Sequence, residues 1–530
     1  DNEPLTLNLT LTPSAISVET VEVTAKVLRD TNVAILTQQR KSAAVSDGIS
    51  SEQISRTSDS NAAEALRRVT GLSVVGGDHV VVRGLGERYS SSTVNGTEIG
   101  SPETNKRVLP MDLFAAGLLD NMVVQKTYTP DQPGEFGGGV VDLKTREFPG
   151  QKVWNVSVGT GYNSVTTGKD FRGYHGGGTD FLGFDDGTRE LPKEVPDFKV
   201  IANALCEGDN CLTSDDVTQI ARSFNLDWRT EKSSGELPRS FSGSYGNEVE
   251  LLGKPLGLLG SVTYSNGFQS QDRTENYYNG GSGAGGALSP RTEYGVNEST
   301  SSVLWGSLAS LGYRLGDFHT LSLNAMYNRS ADDTYRFYEG TNYDFGVDIR
   351  ETRLEYTERG IFTGTVGMKH NLPALFGSLF EWKLGYSNSQ RNEPDRRDYL
   401  YENQSDTYIL STRAGANGFT QTYSDLDEDL RTADTDLSVP FRQWGGLESK
   451  VKAGAHFSTK ERSFHYRRFT YTPPRSNAAR SLPPESLLVA DNIAERSSTR
   501  GLGFRELTRD SDSYDAAHDI SAQYFMIDMP

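Results

Sequence analysis

The apolar positions of this chain follow two rhythms, and the change falls near residue 150. Before it, short apolar runs are broken by glycines. Residues 62–69 read as a helix that Ser60 or Asn61 caps and Gly71 stops, where a left-handed residue is wanted. Val80, Val81 and Val82 form a β-branched run ending at Arg83-Gly84-Leu85-Gly86, and a turn follows at Asn95-Gly96. Pro110 opens a second short helix over 111–119. Residues 122–126 and 136–145 read as strands, and Pro149-Gly150 closes a small α/β unit.

From Val153 onward the period becomes two. Trp154, Val156, Val158, Thr160 and Tyr162 share one face, with Asn155, Ser157, Gly159 and Gly161 on the other. The same alternation recurs at Gly260, Val262, Tyr264 and Phe268; at Val303, Trp305, Ala309, Leu311 and Tyr313; and at Leu321, Leu323, Ala325 and Tyr327. It returns at Phe362, Val366 and Met368; at Phe380, Trp382, Leu384 and Tyr386; at Val451, Ala453, Ala455 and Phe457; and at Ala522, Tyr524, Met526 and Asp528. About ten strands are expected. Short turns alternate with long polar loops, read near residues 163–236, 269–298, 391–434 and 460–514. Soluble sandwiches also alternate, but apolar faces edged with Trp and Tyr, with long loops at one end only, are the pattern of a transmembrane antiparallel β-barrel.

Ahead of the α/β unit, residues 5–11 alternate strictly and read as a strand. Residues 19–25 (Glu19, Thr20, Val21, Glu22, Val23, Thr24, Ala25) form an isolated segment of high β-propensity. Such a segment serves either as one more strand of the N-terminal part or as a strand offered to a partner sheet. Residues 27–56 are polar and serine-rich and read as linker.

Composition sharpens this picture. In 530 residues only 35% are apolar, yet 10% are aromatic and 54 are glycine. That excludes ordinary disorder and suits a wide barrel with a wet interior. No run approaches 18 apolar residues, so no transmembrane helix is expected. The net charge of −18 supplies no basic stripe for nucleic acid and reads as solvated loops. Asp1 is the start expected of a processed or incomplete chain. The two cysteines, Cys206 and Cys211, lie close together without histidine partners, and a disulfide is expected in preference to a metal site.

Ring geometry adds one more expectation. Ten strands about 4.8 Å apart, tilted about 40°, close a ring only ~20 Å wide. A unit of about 110 residues has a radius of gyration of roughly 13 Å and cannot sit inside it. A ring of about 22 strands, ~44 Å wide, would hold it. The strands are therefore expected to be part of a larger barrel.

Taken in order, AEALRRVTGLSV, VVVRGLGERY, VNG and VVQKTYTPDQPGEFGGGVVDLKT resemble the plug of a TonB-dependent outer-membrane receptor. Residues 19–25 resemble the TonB box, and residues 5–11 the last strand of a carboxypeptidase-regulatory-like domain. Arg83 stands where the family usually has an arginine, whereas Lys126 stands where many members continue with Arg-Gly-Pro. The resemblance implies an α/β plug inside a barrel of 22 strands, of which about ten are present here. The implied division is 1–16 for the end of the regulatory-like domain, 17–39 for TonB box and linker, 40–150 for the plug and 151–530 for the first part of the barrel. It further implies a Gram-negative outer-membrane location, contact with its lipid, and import of a scarce solute. The work is drawn from TonB with ExbB and ExbD.

Val21 and Val23 are the expected core of the TonB pairing. Arg83, Glu87, Arg88 and Tyr89 cluster at one end of the plug strands and are expected either to touch solute or to bridge plug and barrel. No catalytic constellation is visible. Gly84-Leu85-Gly86 lacks the dinucleotide fingerprint, the seven histidines show no metal-ligand spacing, and no cofactor is expected. Alternatives are a plugged surface binder that does not transport, which has no need of a TonB box, and a surface enzyme, which would need such a constellation. A passive porin is disfavoured because a plug blocks it.

Overall fold

The computed structural model describes residues 31–529, apart from 58, 77, 107, 135–136, 147–151, 203–209, 281–285, 287, 414–417 and 494–498. The TonB-box segment 19–25, the strand read at 5–11 and Cys206 lie outside the described residues.

From residue 31 on, the stretch read as linker is structured. Helix α1 (Asn32–Lys41) packs on strand β1 (Ser46–Ser50), followed by α2 (Ser51–Ser55). Its polar composition misled because α1 buries only Ile35 among its described side chains and is capped by Thr31. Helix α3 (Ala62–Leu66) starts as read: Asn61 Oδ1 accepts from Glu64 N–H at 3.0 Å, and Glu64 reaches back to Ser60 N–H at 2.7 Å. Gly71 is left-handed at φ +75°. Strands β2 (Leu72–Val75) and β3 (His79–Val82) form a hairpin. Next come β4 (Ser90–Val94) and β5 (Thr97–Glu98), joined by Asn95 and Gly96 with φ +53° and +74°.

The second helix read at 111–119 is two 3₁₀ turns, Met111–Leu113 and Ala116–Leu118, separated by extended Phe114 and Ala115. Burial explains the break: Leu113, Phe114, Ala115 and Ala116 are all buried, and four consecutive residues cannot share one face of a helix. Strands β6 (Leu119–Gln125) and β7 (Gly139–Thr145) complete a sheet of order β1-β6-β7-β4-β5.

The rest is one large antiparallel sheet. Its long strands are β8 (Val153–Thr160), then, beyond a small hairpin of β9 (Asp170–Tyr174) and β10 (Thr230–Ser234), β11 (Arg239–Leu251), β12 (Lys254–Asn279) and β13 (Ser289–Arg314). They continue with β14 (His319–Asn342), β15 (Val347–Leu372), β16 (Ser378–Gln404) and, after the short β17 (Thr407–Leu410), β18 (Phe419–Arg442) and β19 (Glu448–Thr472). The short β20 (Gly503–Glu506) and β21 (Tyr514–Asp528) close the order. Ten strands thus run in an unbroken path with β8 and β21 at the edges, which do not pair with each other among the described residues.

Side chains alternate between two faces. One face meets the plug: Leu304, Leu308, Met326 and Ile361 join the plug core. The other carries an exposed apolar band near the short turns, including Trp154, Val158, Leu323, Phe362, Leu384 and Phe457. Aromatic pairs edge the band, with Tyr264 and Trp305 at 4.7 Å and Phe362 and Tyr386 at 6.2 Å. On β21 the outward residues are Phe525 and Ile527; Ala522, Tyr524 and Met526 pair with plug-side His456, Gly454 and Lys452. The sequence reading had the faces of this last strand reversed, because Tyr524 is lumenal and uses its hydroxyl on Asp436.

Strands of 24 to 27 residues rise roughly 65 Å at a ~40° tilt, far beyond an apolar band of about 25 Å. Much of what read as polar loop at 269–298, 391–434 and 460–514 is therefore strand: pairing continues where the apolar pattern stops. Described parts of segments 161–202, 210–238, 473–493 and 499–513 cover the outward face of these upper strands. Phe224, near helix α4 (Ser214–Ser223), packs with its ring tilted against Phe469 at 4.9 Å, and Trp228 meets Phe419 at 5.3 Å. Buried Arg189 pairs with Asp180 at 2.7 Å and lies over the Tyr356 ring.

β16 carries one residue more than its neighbours between Glu393 and Arg396, where Asp395 takes φ +56°. Below this bulge Ser387, Ser389 and Arg391 face the plug; above it Arg396 and Asp398 face the same side.

Candidate functional site: the lumen above the plug

The plug touches the sheet at two levels. The lower ties lie near the short turns. Lys452 Nζ bonds Asp131 at 2.8 Å, and Lys383 donates to the Asn95 carbonyl at 3.1 Å. Burial pushes the Asp131 carboxyl up, but hydrogen bonds from Lys452 and Thr129 outweigh it and hold it below the usual range. The upper ties lie at the middle of the strands. Arg359 donates to Asp112 at 2.6 Å and to Asp332 at 3.0 Å. Glu428 accepts from Ser101 N–H at 2.9 Å and from Arg462 at 2.8 Å, and Arg391 meets Glu103 at 3.3 Å. Between the two levels the contact is apolar and close: a Cβ on Gly306 would lie 2.8 Å from Leu118 and 2.9 Å from Ala115.

Above the plug the lumenal face encloses a cavity of about 460 Å³, lined by Tyr294, Arg353, Arg396, Asp398, Tyr466 and Arg468 among others. Arg353 and Arg396 both hold Asp398, at 2.6 and 3.1 Å. The floor of this vestibule is the plug apex, made by the β2–β3 turn with Asp78 and His79 and by the segment with Ser101, Glu103 and Asp112. Arginine, tyrosine and carboxylate groups thus line the lumen towards the long-connection end.

The site residues expected from sequence fall elsewhere. Arg83 sits at the opposite end of the β2–β3 hairpin from Asp78 and His79 and donates to the Lys126 carbonyl at 3.0 Å. Lys126 is buried, its ammonium held by Asp47 and the Thr70 carbonyl. Glu87, Arg88 and Tyr89 form a 3₁₀ turn, and the Tyr89 carbonyl accepts from Gly137 and Gly138 at 3.2 and 2.6 Å. This group faces the short-turn end, where residues 127–131 lead to Lys452, and not the vestibule. Sequence clustering found one end of the plug strands but had no means of telling which end faces out. Asp78, His79, Glu103 and the vestibule arginines were missed, because only the plug–barrel fit brings them together.

Residues 37–141 match the family model described as the TonB-dependent receptor plug domain. A plug seated against a large, long-stranded antiparallel sheet defines the class as a plugged barrel. Over residues 37–141, then, the chain is similar to the plug of TonB-dependent receptors. Among solved structures it is similar to the unliganded ferric citrate transporter FecA, at 13% identity and TM-score 0.37, over 83% of this chain and 64% of that one. It is similar also to the ferric yersiniabactin uptake receptor FyuA of Yersinia pestis, at 8% identity and TM-score 0.39, over 91% and 61%. A third is the siderophore receptor PiuA of Acinetobacter baumannii, at 10% identity and TM-score 0.33, over 83% and 67%. The chain spans less than two thirds of the length of the first two. No curated protein matches it by sequence.

Proposed function

We propose that this chain serves TonB-dependent import of a scarce solute across the outer membrane of a Gram-negative bacterium, as part of a wider barrel whose apolar band lies in lipid. The observation that supports this most is the seating of the plug. It fills the lumen beneath a polar vestibule and is tied to the wall at two levels, so passage requires work. In this reading the short turns face the periplasm and the vestibule faces outward. Solute contacts belong to the vestibule and plug apex, not to Arg83, Arg88 and Tyr89.

The work comes from TonB, with ExbB and ExbD, pairing as a strand with residues 19–25 around Val21 and Val23. The decisive measurement is binding of a peptide spanning residues 17–27 to the periplasmic domain of TonB, with Val21→Pro as control. Binding abolished by the proline supports import. No binding, or binding indifferent to proline, turns the reading to a plugged surface binder. A Cys206–Cys211 disulfide belongs to the same proposal, since the long connection would face an oxidising medium. Thiol alkylation that appears only after reduction tests it.

A further inference from the structure

We propose that Asp78, His79 and Glu103 form a divalent-cation site at the plug apex, on the floor of the vestibule. Two separate segments bring them together, the β2–β3 turn and the stretch before the first 3₁₀ turn. Their ligating atoms all lie within 4.8 Å of one another. His79 is only 8% exposed, and its Nε2 is buried without a hydrogen-bond partner among the described residues. Its Nδ1 is held by the Asp78 carboxylate. A buried imidazole nitrogen with nothing to bond calls for an ion or a water; the Glu103 carboxylate beside the ring favours the ion, and Asp78 on Nδ1 fixes the ring.

The surroundings fix the donors yet leave one of them free to turn. The Asp78 carbonyl accepts from Met111 N–H at 2.8 Å, which pins the hairpin turn to the segment after Glu103. Glu103 N–H donates to Ser101 Oγ at 3.2 Å. Arg391 reaches Glu103 at 3.3 Å but holds Glu393 more closely, at 2.7 Å. Glu103 can therefore swing to a cation while Arg391 keeps a carboxylate partner.

With Asp78 held on Nδ1, the ion falls to His79 Nε2 and the Glu103 carboxylate, and Asp78 orients the ring from behind. One imidazole nitrogen with a carboxylate oxygen suits a borderline ion such as Zn²⁺, Fe²⁺ or Mn²⁺ better than Ca²⁺. Two protein donors leave positions for water or for a group carried in the vestibule. The spacing of the histidines gave no hint of this, because the donors are assembled by packing and not by a motif. The site is a property of the plug and stands apart from the question of energised import.

The test is calorimetric titration of ZnCl₂ into the full chain, purified in detergent and stripped with a chelator. The expected result is one equivalent bound, with affinity reduced at least tenfold in both His79→Ala and Glu103→Gln. His465→Ala, on the outward face and largely exposed, should leave that affinity unchanged. Circular dichroism and elution volume verify that the variants are folded, and Glu103→Gln, nearly isosteric, guards against a misfolded His79→Ala. The proposal falls if the wild-type chain takes up no zinc, or if both variants bind it as the wild type does.

Discussion

Replacing Arg359 with alanine tests how the plug is held. Arg359 is 7% exposed and is the shared cation of Asp112, on the plug, and Asp332, on β14. Its loss leaves two carboxylates facing each other with no counter-ion between them. Breaking a fully buried ion pair costs about 3–5 kcal/mol. Here Asp112 and Asp332 keep 24% and 27% side-chain exposure, so water recovers part of that cost. A net loss of about 2–3 kcal/mol is expected, which shifts the seating equilibrium roughly 30- to 150-fold.

Hydrogen exchange on the full chain reads this directly. Amides of plug strand β6 should exchange faster by that factor in Arg359→Ala, while amides in the lower half of β14 stay unchanged. Adding Asp112→Asn and Asp332→Asn removes the stranded charges and should recover more than half of the lost protection. Unchanged β6 exchange in the single variant, or no recovery in the triple, would refute the view that this charge cluster seats the plug.

Gly306→Val should force a methyl-bearing Cβ against Leu118 and Ala115 and cost about 1–3 kcal/mol, read as easier proteolysis of the plug. Gly260→Ala, where an added Cβ meets nothing within 4 Å, should be silent in the same assay. The lower tie should depend on pH in one direction. The Asp131 carboxyl is held below its unfolded value, so its contribution is full above about pH 4 and lost as pH falls through the lower, folded value. Plug protection measured by exchange should therefore drop below about pH 4 in the wild type and change less in Asp131→Asn.

The sequence was most legible where local chemistry decides structure. Asn61 capping, Gly71 and the Asn95-Gly96 turn needed only neighbours a few residues away. The lower strands were legible because lipid-facing residues must be apolar, and Leu321, Leu323 and Ala325 obey that rule. Above the apolar band the rule lapses. β18 carries Asp425, Asp427 and Asp429 on its outward face, and only pairing with β16 and β19 identifies it as strand. The vestibule candidates were hidden for a related reason. Arg83 and Tyr89 lie near each other in the chain, whereas Arg359 and Asp112 are 247 residues apart and meet through the plug–barrel fit.

The extra residue in β16 acts as a frameshift written in space. Below Asp395 one parity of the strand points into the lumen, and above it the other does. The bulge itself absorbs that difference. Deleting Asp395 would restore plain alternation with Glu393 still opposite Ser424 and Arg396 still opposite Thr422, so Arg396, Asp398 and Leu400 would keep facing the vestibule. What would be lost is the carboxylate that holds buried Arg397 and Gln421 under the outer covering. The added residue thus serves the covering, and the lining of the mouth and the wall beneath it stand without it.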